Sequence, residues 1–178
     1  MTVTNWARLL LACTAALVFQ FAVVDQVLVA GYHADVMVLL AAAAGVVGGP
    51  QRGGIAGFIA GLAADLVLPM PFGLSALSFV LVGFGCGLVR RGAGEDSTLW
   101  RGALCIVGGA VGTLAYAMLG ALVGQPGMLG AGTVASVVVV AAGGLLLAWP
   151  VVAAMRWAFA EGAAGGSRAV PSGGSASF

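Results

Sequence analysis

A membrane bundle of six α-helical spans, with a short hairpin partly sunk into the bilayer between spans three and four, is the all-α fold class that the sequence predicts. Three observations carry that expectation. Of 178 residues, 61% are hydrophobic and only 7% charged, and the mean hydropathy of +1.12 lies above that of ordinary water-soluble domains. A hydrocarbon layer of about 30 Å takes roughly 20 apolar helical residues to cross, so a chain of this length has room for about six spans and no soluble catalytic domain. Finally, threading six spans through the chain collects every arginine on one side of the membrane.

The apolar runs lie at about 7–26, 34–49, 53–68, 72–90, 98–123 and 129–157, separated by polar, glycine or proline punctuation. The first follows Arg8 in the manner of a secretory signal. The run is long for a signal core, however, and "VLVAG" at 27–31 is a poor cleavage site because Leu28 is bulky, so it reads as the first span. The sixth run is too long for an upright span, which calls for tilt, extension past the bilayer or a kink at Pro150. A single membrane domain over residues 1–160 is expected. The tail at 161–178, "EGAAGGSRAVPSGGSASF", has the Gly/Ser/Ala composition of a disordered segment.

With both termini in the cytoplasm, the inner side receives Arg8, Arg52, Arg90, Arg91, Arg101, Arg156 and Arg168, which is all seven bases. The outer connections hold Asp25, Asp35, His33 and a Pro-Met-Pro turn instead. Merging or dropping one span would scatter arginines over both faces, so the sorting supports the span count as well as the orientation. The formal net charge of +1 leaves no basic stripe for nucleic acid and no polybasic lipid-binding run. Cys13, Cys86 and Cys105 stand singly, without metal-ligand spacing, and read as small lipid- or core-facing residues. His33, beside Tyr32 and Asp35, reads as a surface residue, and neither metal nor cofactor is expected.

Lipid tails are as apolar as leucine, so helices in a bilayer associate largely by close packing at small residues. Gly53, Gly57 and Gly61 share one face of the third span; Gly83 and Gly87 do so in the fourth, and Gly108 and Gly112 in the fifth, with Gly120 and Gly124 at its outer end. Asp65 takes the next beat of the first series and so points into the bundle, where an acid is costly unless paired. After three intervening residues Asp65 is followed by Pro69-Met70-Pro71, and a new helix restarts with Phe72-Gly73-Leu74-Ser75, proline near a first helical position being well tolerated. The free N–H groups of that restart carry the positive end of its dipole, and an acid about one turn below the break is placed to accept from them. Asp65, Pro71, Phe72 and Gly73 are thus the expected turn clasp. The 16 residues from Gly53 to Leu68 make roughly 24 Å of helix, which draws the turn into the membrane. Proton or cation coupling is the alternative role for Asp65, though mid-span positions elsewhere offer no second ionisable group for a relay.

Residues 57–91, "GFIAGLAADLVLPMPFGLSALSFVLVGFGCGLVRR", resemble the central signature of the rod shape-determining protein MreD family. The elements that match are Gly61, Leu62, Asp65 and Leu66, then Pro71, Phe72, Gly73 and Leu74, then Val82, Gly83 and Gly87 up to the pair Arg90 and Arg91. They cover about a fifth of the chain; outside them the likeness lies in size, hydropathy and the acid before the second span, Asp35. The alanine- and glycine-rich fifth and sixth spans and the long tail depart from the family pattern. The resemblance implies a non-enzymatic scaffold of cell elongation and peptidoglycan synthesis in the bacterial inner membrane. Its partners would be an MreC-like bitopic membrane protein, with a RodA-type glycosyltransferase, a class B penicillin-binding protein and MreB filaments beyond it. It also implies a fold similar to the substrate-binding subunits of energy-coupling-factor vitamin transporters, which supplies the rival function.

For a small-molecule-binding subunit, the only polar cluster at the outer side is Asp25, Gln26, Tyr32, His33 and Asp35, residues that read equally as a solvated connection. A membrane enzyme would need a convergent set of acids, metal ligands or a serine with a base, and Ser75, Ser78 and Ser136 have no base near them in sequence. Arg90 and Arg91, followed by Glu95 and Asp96, serve either as an orientation signal or as a contact for a cytoplasmic partner.

Overall fold

The computed structural model describes residues 3–24, 35–67, 72–93, 97–124 and 130–159. Every element among them is helical: α1 (Val3–Phe19) continued by a π turn (Gln20–Val24), α2 (Val36–Gly48), α3 (Pro50–Asp65), α4 (Leu74–Ala93), α5 (Thr98–Leu122) and α6 (Ala131–Phe159). Three stretches are long and apolar enough to cross a membrane: Leu74–Ala93, Thr98–Leu122 and Gly132–Phe159. Together with the composition they mark a membrane protein.

The remaining helices are shorter for a reason visible in the packing. α2 has 13 residues, about 20 Å at 1.5 Å per residue, and every residue from Val36 to Val46 is buried. It stands in the middle of the bundle, touching α1, α3, α4, α5 and α6, while those five follow one another around it. A helix apolar on all sides is stable only when enclosed. Here protein encloses it, so its length need not match the hydrocarbon thickness.

Asp35 starts α2 as its N-cap. One carboxylate oxygen accepts from the N–H groups of Met37 at 2.9 Å and Val38 at 3.2 Å, and the Gln20 side chain accepts from the Val36 N–H at 2.8 Å, tying the π turn of α1 to the same helix start. The outer-loop acid of the sequence reading is therefore a capping residue.

At the other end of α2 the turn is tighter than the sequence suggests. α3 begins at Pro50 rather than Gly53, and Gly49 alone separates the two helices. Its φ of +83° lies in the left-handed region, its N–H donates to Gly45 O at 2.9 Å and its carbonyl accepts from Gly53 N at 2.9 Å. Proline at the first helical position forfeits no hydrogen bond and fixes φ for the new helix.

α6 runs unbroken through Pro150. Gly124 is a left-handed residue just past α5 (φ +83°) with open space around it, a helix stop rather than a packing position. The outward faces carry Leu77, Leu81 and Leu88 on α4, Val107, Val111 and Met118 on α5, and Val138, Leu145 and Leu146 on α6. Faces this apolar belong against lipid. The tail at 161–178 lies outside the described residues.

The charges segregate along the bundle. Arg8 at the start of α1 stacks on Trp157 at the end of α6, 5.0 Å from the ring centre, and Arg52 at the start of α3 lies 5.6 Å from the Phe159 ring. Arg90, late in α4, donates to Val47 O at 3.2 Å, where a cation suits the carbonyl end of α2. Arg101 and Arg156 belong to the same end through the contact of early α5 with late α6. The described acids, Asp35 and Asp65, are both at the opposite end.

Candidate functional site

The corner between α3 and α4 is built from the glycines upward. A Cβ on Gly61 would collide with the backbone of Ala76, and one on Gly57 with that of Phe79. Farther along, Gly45, Gly53 and Gly83 bring α2, α3 and α4 together: a Cβ on Gly45 or Gly53 would meet Gly83 O, and one on Gly83 would meet Gly53 O. Gly87 lies on the backbone of Pro50. Only hydrogen fits at these positions, and backbone-to-backbone approach is the packing mode that membrane helices have available.

Because Gly61 seats the first turn of α4 against α3, the side chain one turn beyond it reaches that turn's donors. Asp65 is 4% exposed. One of its oxygens accepts from Gly73 N at 2.9 Å and Ala76 N at 3.2 Å, and the other from Ser75 N at 3.1 Å. The Gly73 carbonyl accepts from Leu77 N at 3.0 Å, so Gly73 occupies the capping position of α4. Gly73 has no side chain to cap with, and its φ of +99° suits glycine alone. The carboxylate of the preceding helix therefore does what a serine or aspartate at the cap would do. Negative charge at the positive end of α4, held by three charge-assisted hydrogen bonds, satisfies both the acid and the orphan donors.

The site differs in membership from the sequence expectation. Phe72 is 66% exposed and stands outward, because its backbone only leads into the cap. Pro71 lies outside the described residues. Ser75 and Ala76 complete the site through their backbone N–H groups rather than through polar side chains; their positions in the first turn of α4 are the available signal. The Ser78 hydroxyl is fully buried and donates to Leu74 O at 2.9 Å, and Ser136 donates to Gly132 O at 3.0 Å, so both hydroxyls are spent on their own helices. Tyr116 of α5 approaches the corner, its enclosed hydroxyl near Ser75 with Asp65 beyond.

Gly108 and Gly112 face the core of the bundle but meet side chains. A Cβ on Gly108 would press on Cys86 Sγ and approach Ala42 Cβ at 3.1 Å, and one on Gly112 would press on Val38 and approach Val82 Cγ2 at 2.7 Å. Arg90 is engaged with the end of α2, whereas Arg91 is exposed. All three cysteines are buried in the core as free thiols, and Cys105 Sγ donates to Leu39 O at 3.4 Å. Of the outer polar cluster only Asp35 is described; Asp25, Gln26, Tyr32 and His33 lie outside the described residues, as do Glu95 and Asp96. Among the described residues no three His, Cys, Asp or Glu side chains converge in a way that holds a metal ion.

Chemically, Asp65 is arranged to hold backbone. Its two oxygens face three donors, and the other described acid is engaged at its own helix start. Compared with protein-family models, with curated proteins and with solved structures, the chain gives no match.

Proposed function

We propose that this chain is a non-enzymatic scaffold of the bacterial cell-elongation machinery, an MreD-like inner-membrane protein acting beside an MreC-like bitopic partner. In this reading it spans the membrane six times with both termini in the cytoplasm. The enclosed α2 and the shorter α1 and α3 count as spans alongside α4, α5 and α6, and the arginine end is the cytoplasmic end. A RodA-type glycosyltransferase, a class B penicillin-binding protein and MreB filaments are the partners beyond MreC, and the bundle is akin to energy-coupling-factor substrate-binding subunits.

The observation that carries the reading is the corner at Asp65. Part of the MreD-like signature meets there: Gly61 on the glycine face of α3, the acid that ends it, and Gly73 leading into the first turn of α4. Such a corner is a rigid framework, which is what a scaffold needs from a hairpin that performs no chemistry.

The test is affinity purification of the tagged protein from its own cells in mild detergent, with mass-spectrometric identification of what accompanies it. The expected result is an MreC-like bitopic protein, with or without the cell-wall synthases. Recovery instead of a transmembrane coupling subunit with paired ATPases would overturn the scaffold reading in favour of a small-molecule transporter subunit.

A further inference from the structure

We propose that the groove between α5 and α6 at the arginine end binds the headgroup of an anionic phospholipid, with Arg156 as its cation. The groove encloses about 70 Å³ and is lined by Thr98 and Gly102 of α5 and by Ala148, Trp149, Val152 and Arg156 of α6. A water needs about 10–15 Å³ of such space, so the groove has room for the phosphate of a headgroup, with the rest of the lipid lying along the surface.

The lining is graded. Arg156 and the Thr98 hydroxyl stand toward the helix ends, while Val152, then Ala148 and Trp149, lie one and two turns deeper on α6. Trp149 is 67% exposed and forms the outer wall. Both helices are long apolar spans, and the exposed Leu145 and Leu146, about one turn deeper on α6 than Trp149, continue its face of the groove toward acyl chains rather than water. A cation above an apolar floor complements a lipid whose phosphate is negative and whose chains are not.

Arg156 also differs from its neighbours. Arg8 and Arg52 lie on aromatic rings and Arg90 donates to a carbonyl. No hydrogen bond, ion pair or ring contact among the described residues engages Arg156. The rival partners in the chain are Glu95, Asp96 and Glu161, which lie outside the described residues. The site requires only that the chain sit in a bilayer, so it stands or falls independently of the scaffold reading.

The test uses the full chain in nanodiscs containing equal amounts of phosphatidylglycerol and phosphatidylcholine, released into mild detergent, with retained lipid counted by native mass spectrometry. Wild type should retain phosphatidylglycerol in preference, and Arg156→Gln should cut that preference about tenfold, the scale of one lost charge-assisted hydrogen bond. Arg156→Lys should keep most of the preference, and Arg52→Gln, which removes an arginine from the same end but not from the groove, should leave it intact. Thr98→Val should weaken retention less, and it tests the site even if Arg156→Gln folds poorly. Unchanged preference in Arg156→Gln, or equal losses in Arg52→Gln, would assign the effect to general surface charge and overturn the proposal. Displacement of the lipid by millimolar inorganic phosphate would mark a free-anion site and overturn it as well.

Discussion

Glycines at intervals of four occupy both the α3–α4 hairpin and the inner face of α5, and the two regions use them differently. In the hairpin, a Cβ on Gly53, Gly57, Gly61, Gly83 or Gly87 would strike the backbone of the neighbouring helix. On α5, a Cβ on Gly108, Gly109 or Gly112 would strike the side chains of Cys86, Leu39 or Val38. Backbone cannot yield without moving a whole helix, whereas a side chain can change rotamer. The spacing is shared; what differs is the residue opposite. Gly45, Gly83, Ala76, Pro50 and, through its backbone, Phe79 face the hairpin glycines, and the side chains of branched or sulfur-bearing residues face those of α5.

The largest effect is expected at the point where three helices meet. Gly83→Ala puts a methyl on Gly53 O, near Gly53 C at 2.7 Å and Ala41 O at 3.1 Å. Overpacking against backbone on two sides should cost about 3 kcal/mol or more, read as loss of the folded protein in thermal or SDS titration in detergent. Gly53→Ala addresses the same contact from the other side, so the double variant should cost clearly less than the two singles together. Simple additivity would mean that α3 and α4 do not touch there.

Next comes the carboxylate. Asp65→Asn keeps one acceptor oxygen but offers an NH₂ group to donors that need an acceptor, leaving at least one of Gly73 N, Ser75 N and Ala76 N unsatisfied. The expected loss is about 2 kcal/mol. Asp65→Leu, which leaves all three donors without an acceptor, should cost more. An Asn variant that is less stable yet fully active in the cell would confine Asp65 to folding and exclude proton coupling; one of wild-type stability would contradict the clasp.

This corner was legible in the sequence because two independent rules point to it. Glycine periodicity sets the face on which Asp65 lies, and an intramembrane acid one turn below a helix restart has obvious donors. Gly49 and the early start of α3 were less legible, since a two-helix junction through one residue depends on a left-handed φ that "VVGGPQR" does not announce. The capping role of Asp35 was hidden by the polar stretch around it, which reads as solvated loop. The central place of α2 could not be read from its own residues either: a run as apolar as "VMVLLAAAAGVV" is equally suited to lipid and to protein on all sides, and only the surrounding helices decide.

Gly108→Ala probes the other half of the comparison. The new methyl would displace Cys86 Sγ, whose present acceptor, Leu104 O at 3.9 Å, is a weak one, and it would sit 3.1 Å from Ala42 Cβ. A thiol can rotate, so the expected cost is about 1 kcal/mol. The double variant Gly108→Ala with Cys86→Ala, which removes the obstructing sulfur, should recover part of it. A cost matching that of Gly83→Ala would show that α5 is held as rigidly as the hairpin.

The smallest effect is expected two residues from the largest. Gly85 lies on α4 between Gly83 and Gly87, yet a Cβ there meets nothing within 4 Å, because two residues turn a helix through about 200° and carry the position to the outward face. Gly85→Ala should therefore be neutral, or stabilising by up to about 1 kcal/mol, as alanine removes the backbone freedom that glycine has in the unfolded chain. The pair Gly83→Ala and Gly85→Ala thus measures the rotation of α4 about its own axis, in one helix and with one added methyl group. If Gly85→Ala were as damaging as Gly83→Ala in the purified protein, α4 would have to be turned relative to α3, and the donors of its first turn could not all reach Asp65. If it were neutral in detergent but harmful in the cell, something in the membrane would lie against that face of α4.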